Sequence, residues 1–286
     1  MKIRLLIVYC VLSTAYCSAQ LPESDIWLLS ITDKSGPVTL SNPVNITDRK
    51  GYDNQPAFSP DGTYLLFSSQ RDSNGSTDIY KYDLRTKATS QFTKTATSEY
   101  SPTFMPDGKN ISVVMVEKDS AQRLWKFPLA GGPPVCILPS IKEIGYHAWI
   151  NKDSLALYIL TKPSFTIQLV NIATQKPSII ADSVGRCMRV RDGVLWYTSK
   201  IAILNNVFEY HPKSKKSVWK GEIESEDYCF HEVDIWSCSE HAVVSGYMNS
   251  KLGAVEVANL EQYGITKITR IVISPDGKTI AVVSNK

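Results

Sequence analysis

Short apolar runs recur along the chain, and each is bounded by turn-forming residues. Tyr64-Leu65-Leu66-Phe67, Ile111-Ser112-Val113-Val114-Met115-Val116 and Ile280-Ala281-Val282-Val283 are the clearest. Each follows a near-identical tetrapeptide: Ser59-Pro60-Asp61-Gly62, Met105-Pro106-Asp107-Gly108 and Ser274-Pro275-Asp276-Gly277. Pro presets φ at the second turn position, Asp bonds nearby backbone, and Gly supplies the positive φ that closes the turn. Apolar segments of strand length on both sides predict β-hairpins rather than helices. The repeated Asp is therefore read as a turn former and not as a ligand.

The spacing of these turns predicts the architecture. Asp61 and Asp107 lie 46 residues apart, and the same step reaches Asp153 in AWINKDSLALYIL. Asp192 in MRVRDGVLWYTS keeps Asp-Gly and loses Pro. A fifth, eroded copy is read in DIWSCSEHAVVSG, with Trp236 in the place of Phe58 and Ser239 in the place of Asp61. A second hairpin follows each turn, as in Asp78-Ile79-Tyr80-Lys81-Tyr82-Asp83-Leu84, Arg123–Leu129, Thr166–Ile172 and Val207–Pro212. Repeats of about 40 to 50 residues with four strand-like segments are the pattern of propeller blades. The chain ends on half a blade (SPDGKTIAVVSNK) and starts, at Asp25–Ile31 and Pro43–Thr47, on the other half. Joining the halves would hide the strand edges an open array exposes. The expectation is an all-β fold: a single six-bladed β-propeller of four-stranded blades over residues 20–286, its last blade closed by the N- and C-terminal strands.

These residues carry a resemblance. Pro56-Ala57-Phe58-Ser59-Pro60-Asp61-Gly62 followed by Asp78-Ile79-Tyr80, and Pro102-Thr103-Phe104-Met105-Pro106-Asp107-Gly108, resemble the WD40-like propeller repeats of the TolB-like family. The resemblance implies the same closed ring over nearly the whole chain after the leader. It implies little about activity, because the same repeat serves binding proteins, peptidase propellers and lyases. The family's translocation protein also has an α/β domain before its propeller, with no counterpart expected here. Partners that need that domain are not implied.

Residues 1–19 read as a signal peptide: Lys2 and Arg4, an apolar stretch from Leu5 to Leu12, and Cys17-Ser18-Ala19 before Gln20. The stretch is too short to span a bilayer. The mature protein is expected to be exported, periplasmic or extracellular, monomeric and without a transmembrane segment. Lipid attachment at Cys17 is disfavoured by bulky Tyr16. The leader's ending resembles those of exported proteins of Bacteroidetes-type bacteria.

Formal charge is +3, and removal of Lys2 and Arg4 leaves +1. No basic run with interleaved aromatics stands out, so nucleic acid is not an expected partner. Cys136, Cys187, Cys229 and Cys238 match no zinc spacing. Cys187 and Cys238 read as small buried residues, while a Cys229–Cys238 bridge is the other reading of that pair.

The repeat register also selects the loops that enter the innermost strands at a channel mouth. It gives Asp53 and Asn54 in blade one, Glu99 and Tyr100 in blade two, and Tyr146 and His147 in blade three. Arg186 follows in blade four, His231 and Glu232 in blade five, and Arg270 in blade six. Such a mixed ring suits a polar ligand, for instance a peptide end or a sugar. Tyr52, Tyr100 and Tyr146 are expected to form an exposed aromatic surface there. Phe58, Phe104, Trp149 and Trp236 are expected between blades. No Gly-x-Ser-x-Gly elbow is present, so the first expectation is a non-catalytic binding or scaffold module, without cofactor or metal. Its partner would be a protein, peptide or glycan of the cell envelope. The alternative is a metal-assisted polysaccharide lyase or hydrolase built on His147, His231, Glu99 and Arg186.

Overall fold

Residues 21–32, 37–71, 75–200, 205–246 and 254–286 are described by the computed structural model. Six antiparallel four-stranded sheets follow one another around a ring. Blade one runs from Asp53–Phe58, innermost, to Thr89–Gln91 at the rim. The innermost strands of blades two, three and four are Ser98–Phe104, Ile144–Asn151 and Val184–Arg191. Blade five starts at Tyr228–His231. Blade six takes Ile268–Ile273 and Thr279–Asn285 from the C-terminus and Ser24–Thr32 and Thr39–Asn45 from the N-terminus.

The join is continuous pairing from Ser24 opposite Asn285 to Ser30 opposite Thr279. Lys286 Nζ adds an ion pair to Asp25 Oδ2 at 2.8 Å. The ends thus meet inside a sheet, and Thr279–Asn285 is paired on both sides.

The turns behave as their residues dictate. Gly62, Gly108 and Gly277 have φ of 67, 65 and 72°, where a Cβ would be strained. Asp61 Oδ1 accepts the Ser59 hydroxyl at 2.6 Å and the Thr63 amide at 3.1 Å, and Asp276 repeats both bonds with Ser274 and Lys278. These aspartates hold turns.

The apolar core lies between blades, because each sheet buries both faces. One cluster joins blades one and two through Leu66, Ile79, Ile111 and Val113. Another joins two and three through Val114, Leu124, Trp149 and Leu157. Each remaining neighbouring pair is joined by its own cluster. Phe58, Phe104, Trp149 and Trp236 all sit at such interfaces.

Blade five corrects the register read from the sequence. Its second strand is Asp234–Cys238, so Trp236 and Cys238 occupy that strand and not the innermost one. The turn that replaces Ser-Pro-Asp-Gly is Glu232-Val233, with Glu232 at φ 50°. Cys136, Cys187, Cys229 and Cys238 are all free thiols, the last three buried, so the Cys229–Cys238 bridge is not formed.

Candidate functional site

The channel has two different ends. At the end where chains enter the innermost strands, a chamber of about 100 Å³ receives side chains from all six blades. Gln55, Ser101, Tyr146, Arg186, Asp227 and Arg270 represent blades one to six in order. At the end carrying the repeated turns lies a wider cup of about 540 Å³, lined by Phe58, Phe104, Trp149 and prolines 60, 106 and 275. Pro102, His147, Met188, Arg189 and Val272 border both, so the two spaces meet along the axis.

A local irregularity aims the chamber's side chains. The innermost strands of blades one, two, three, four and six lose register with their neighbours at Asn54/Ala57, Tyr100/Thr103, Ile144/Tyr146, Val184/Met188 and Ile268/Arg270. These five shifts fall at the entry end, and blade three has a further one at the other end, Trp149/Asn151. Gln55 and Ser101 adopt φ of 58 and 56°, unusual for residues with a Cβ, each just before a proline. Bulges of this kind re-aim side chains and gather near binding sites.

Three arginines and two carboxylates organise the entry mouth. Arg270 Nε donates to Asn54 Oδ1 at 2.8 Å, and its Nη2 donates to the Tyr146 hydroxyl at 2.8 Å. Its Nη1 lies 3.6 Å from Asp227 Oδ2. Arg189 Nη2 lies 3.4 Å from Asp227 Oδ1, which also accepts the Ile271 amide at 3.2 Å. The Arg186 backbone N–H donates to Glu226 Oε1 at 2.8 Å, Nη1 pairs with Glu226 at 3.3 Å, and Nη2 donates to the Thr269 carbonyl at 2.9 Å. Asp227 is buried beneath these cations, a placement a carboxylate tolerates only when paired.

His147 lies in the channel wall. Its Nε2 meets Ser112 Oγ at 2.6 Å, and the Trp149 indole N–H donates to the same oxygen at 2.8 Å. Burial pushes its pKa down to about 3, so the ring is neutral at physiological pH.

The sequence-derived candidates thus divide. Tyr146, His147, Arg186 and Arg270 are brought together at the mouth or the channel wall, and buried Asn54 bonds Arg270 from behind the lining. Asp53 is fully buried behind it, clasped by Arg49 at 3.0 Å, Arg71 at 3.6 Å and the Ser69 hydroxyl at 2.5 Å. Glu99, at the equivalent position of blade two, is also fully buried and accepts the hydroxyls of Thr93 and Thr95. Burial, with Asp78 nearby, pushes its carboxyl well above the usual range. Both carboxylates anchor entry loops and line neither end of the channel.

Tyr52 is buried, edge-on to Tyr100 with ring centres 6.4 Å apart, so the three tyrosines do not form an exposed platform. His231 stacks on Trp236 at 4.3 Å, and Glu232 is exposed in the hairpin turn at the opposite end. His147, His231 and Glu99 are therefore not assembled into one centre. Among the described residues, no group of three or more His, Cys, Asp or Glu is placed to hold a metal ion.

Glu226, Asp227 and Arg189 are the mouth residues that the sequence reading missed. The slipped register of blade five hid the first two. The Tyr228-Cys229-Phe230-His231 run marks the true first strand, but Glu232-Val233 offers neither Gly nor Pro to punctuate it.

No protein-family model matches the sequence, and no curated protein matches it either. Solved structures do match in shape. A putative TolB from Agrobacterium tumefaciens superposes with a TM-score of 0.64 at 13% identity, over 93% of this chain and 99% of that one. TolB from Acinetobacter baumannii gives 0.56 at 10% identity, over 91% of this chain and 64% of that protein. A chain of a nidogen/laminin complex gives 0.61 at 8% identity, over 91% and 98%. At such identities the likeness speaks for architecture alone. Six closed four-stranded blades and these superpositions together give this chain the fold of the TolB-like six-bladed β-propellers.

Proposed function

We propose that this chain is an exported, non-catalytic binding propeller. Its entry mouth holds a polar group of a cell-envelope protein, peptide or glycan. The observation behind this reading is the convergence of side chains from all six blades on one small chamber walled by arginine, tyrosine and carboxylate. A rigid ring with a few convergent polar groups is suited to orient a ligand without transforming it. Export rests on residues 1–19, which lie outside the described residues. Among those described, no helix is long and apolar enough to cross a membrane.

Capture from an envelope extract tests the reading. The unaltered protein is compared with a Tyr146→Ala, Arg186→Gln variant and with Lys213→Glu, an exposed turn change at the other end of blade four. Loss of a captured partner in the first variant only is the expected result. Equal recovery by all three would remove the entry mouth as the contact surface. Intact mass of the exported protein, lacking residues 1–19, checks the leader.

A further inference from the structure

We propose that the chamber beneath the entry mouth is a binding site for a single carboxylate. The proposal rests on the reading that this mouth is a ligand contact, and it names the chemistry held there.

Three residues of the chamber wall each bury a polar atom that finds no hydrogen-bond partner among the described residues: Ser101 Oγ, His147 Nδ1 and Arg186 Nε. Buried polar atoms are rarely left unpaired, and each such atom calls for an explanation. All three can donate. Arg186 Nε carries a hydrogen and has no lone pair to offer. Ser101 has a hydroxyl, with the residue only 8% exposed.

The His147 tautomer follows from its neighbours. Trp149 donates to Ser112 Oγ, which leaves the Ser112 hydroxyl hydrogen for His147 Nε2 at 2.6 Å or for the Thr103 carbonyl at 3.4 Å. We assign it to the shorter contact. A neutral imidazole that accepts at Nε2 carries its proton on Nδ1.

Charge points the same way. Arg186, Arg189 and Arg270 face Glu226 and Asp227 around the chamber, and Lys200 Nζ also pairs with Glu226 at 3.3 Å, so cations outnumber carboxylates there. The space of about 100 Å³ equals roughly three waters. One carboxylate and its first carbons match that volume, that excess charge and those donors. The carboxylate belongs either to a free small acid or to the C-terminus of a peptide entering the mouth.

Thermal unfolding of the full chain in sodium acetate, against sodium chloride at equal ionic strength, reads the site directly, because a ligand of the folded state raises Tm. Acetate should raise Tm beyond chloride. Ser101→Ala removes one donor without breaking any side-chain bond of the fold, and should weaken acetate about tenfold. Identical responses to the two salts, or unchanged acetate affinity in Ser101→Ala, would overturn the proposal.

A pentapeptide with a free C-terminus and its C-terminal amide separate the two sources. Tighter binding of the free acid than of acetate, lost in the amide, assigns the site to a chain end. A free acid no tighter than acetate assigns it to a small acid. Should acetate fail while the Tyr146, Arg186 variant still loses its partner, the chamber proposal falls and the mouth reading stands.

Discussion

Arg270 and Tyr146 join opposite sides of the ring. The guanidinium projects from blade six, and its Nη2 donates across the channel to the hydroxyl of Tyr146 in blade three at 2.8 Å. The guanidinium carbon also lies 5.2 Å from the centre of the same ring. A bond between opposite blades cannot arise from the packing of neighbours. It is a strut that fixes the width of the mouth, and Arg270 also ties Asn54 and Asp227 to it.

That strut makes a measurable coupling. Tyr146→Phe and Arg270→Gln, combined in a double-mutant cycle, should show a coupling of about 1 kcal/mol in urea unfolding. Additive effects would mean that the strut contributes nothing to stability.

Asp227 sets the cost of removing its cations. Arg270→Gln leaves a carboxylate buried at 2% side-chain exposure with Arg189 as its remaining cation, and should cost about 3 kcal/mol. Adding Asp227→Asn should recover much of that loss, because the burial penalty belongs to the charge. No recovery would show that Arg270 acts through packing alone.

Two buried groups bend stability with pH in opposite directions. His147 is neutral when folded, its pKa lowered to about 3 from an ordinary 6.5. The unfolded chain takes up that proton first, so stability is lost as pH falls from about 6.5 toward 3, at up to about 1.4 kcal/mol per pH unit. Glu99 has its pKa raised, and its contribution is complete below the ordinary carboxylate value and lost as pH rises through the folded one. Chemical denaturation from pH 3 to 9 should give a maximum on the acid side of neutrality. Glu99→Gln should flatten the alkaline side and His147→Gln the acid side; unchanged curves would refute these assignments.

Gly185 supports the mouth from behind. A Cβ there would stand 2.2 Å from Thr198 Oγ1 and 3.1 Å from Glu226 Cγ. Gly185→Ala should therefore cost about 2 kcal/mol and displace Glu226 from Arg186. Thermal melts and the acetate titration of the same variant check both effects.

Ring closure depends on backbone pairing more than on its terminal ion pair. Lys286→Ala takes the cation from a nearly buried Asp25 and should cost about 1 to 2 kcal/mol. Deleting residues 280–286 removes a central strand between Ser24–Thr32 and Ile268–Ile273, and should abolish cooperative unfolding. A truncated chain that melts like the full one would contradict the closure.

The sequence by itself determined the fold, because turn chemistry and strand alternation are local. Pro, Asp and Gly at fixed offsets set the hairpins, their spacing set six blades, and the half-blades at Asp25 and Ser274 set the closure. It also placed Asn54, Tyr146, His147, Arg186 and Arg270 on the entry side, since a regular repeat carries its register with it. Where the repeat loses its punctuation, at Glu232-Val233, the register slipped and His231 was exchanged for Asp227. Only the tertiary structure decided which polar residues face the channel. Asp53 and Glu99 share the loop position of the mouth residues, yet Arg49 and Arg71 on one side and Thr93 and Thr95 on the other draw them inward. The arginine strut and the donor-lined chamber are likewise contacts between blades far apart in the chain. No local pattern encodes them: they arise only when the bulged strands of the closed ring bring those side chains onto one axis.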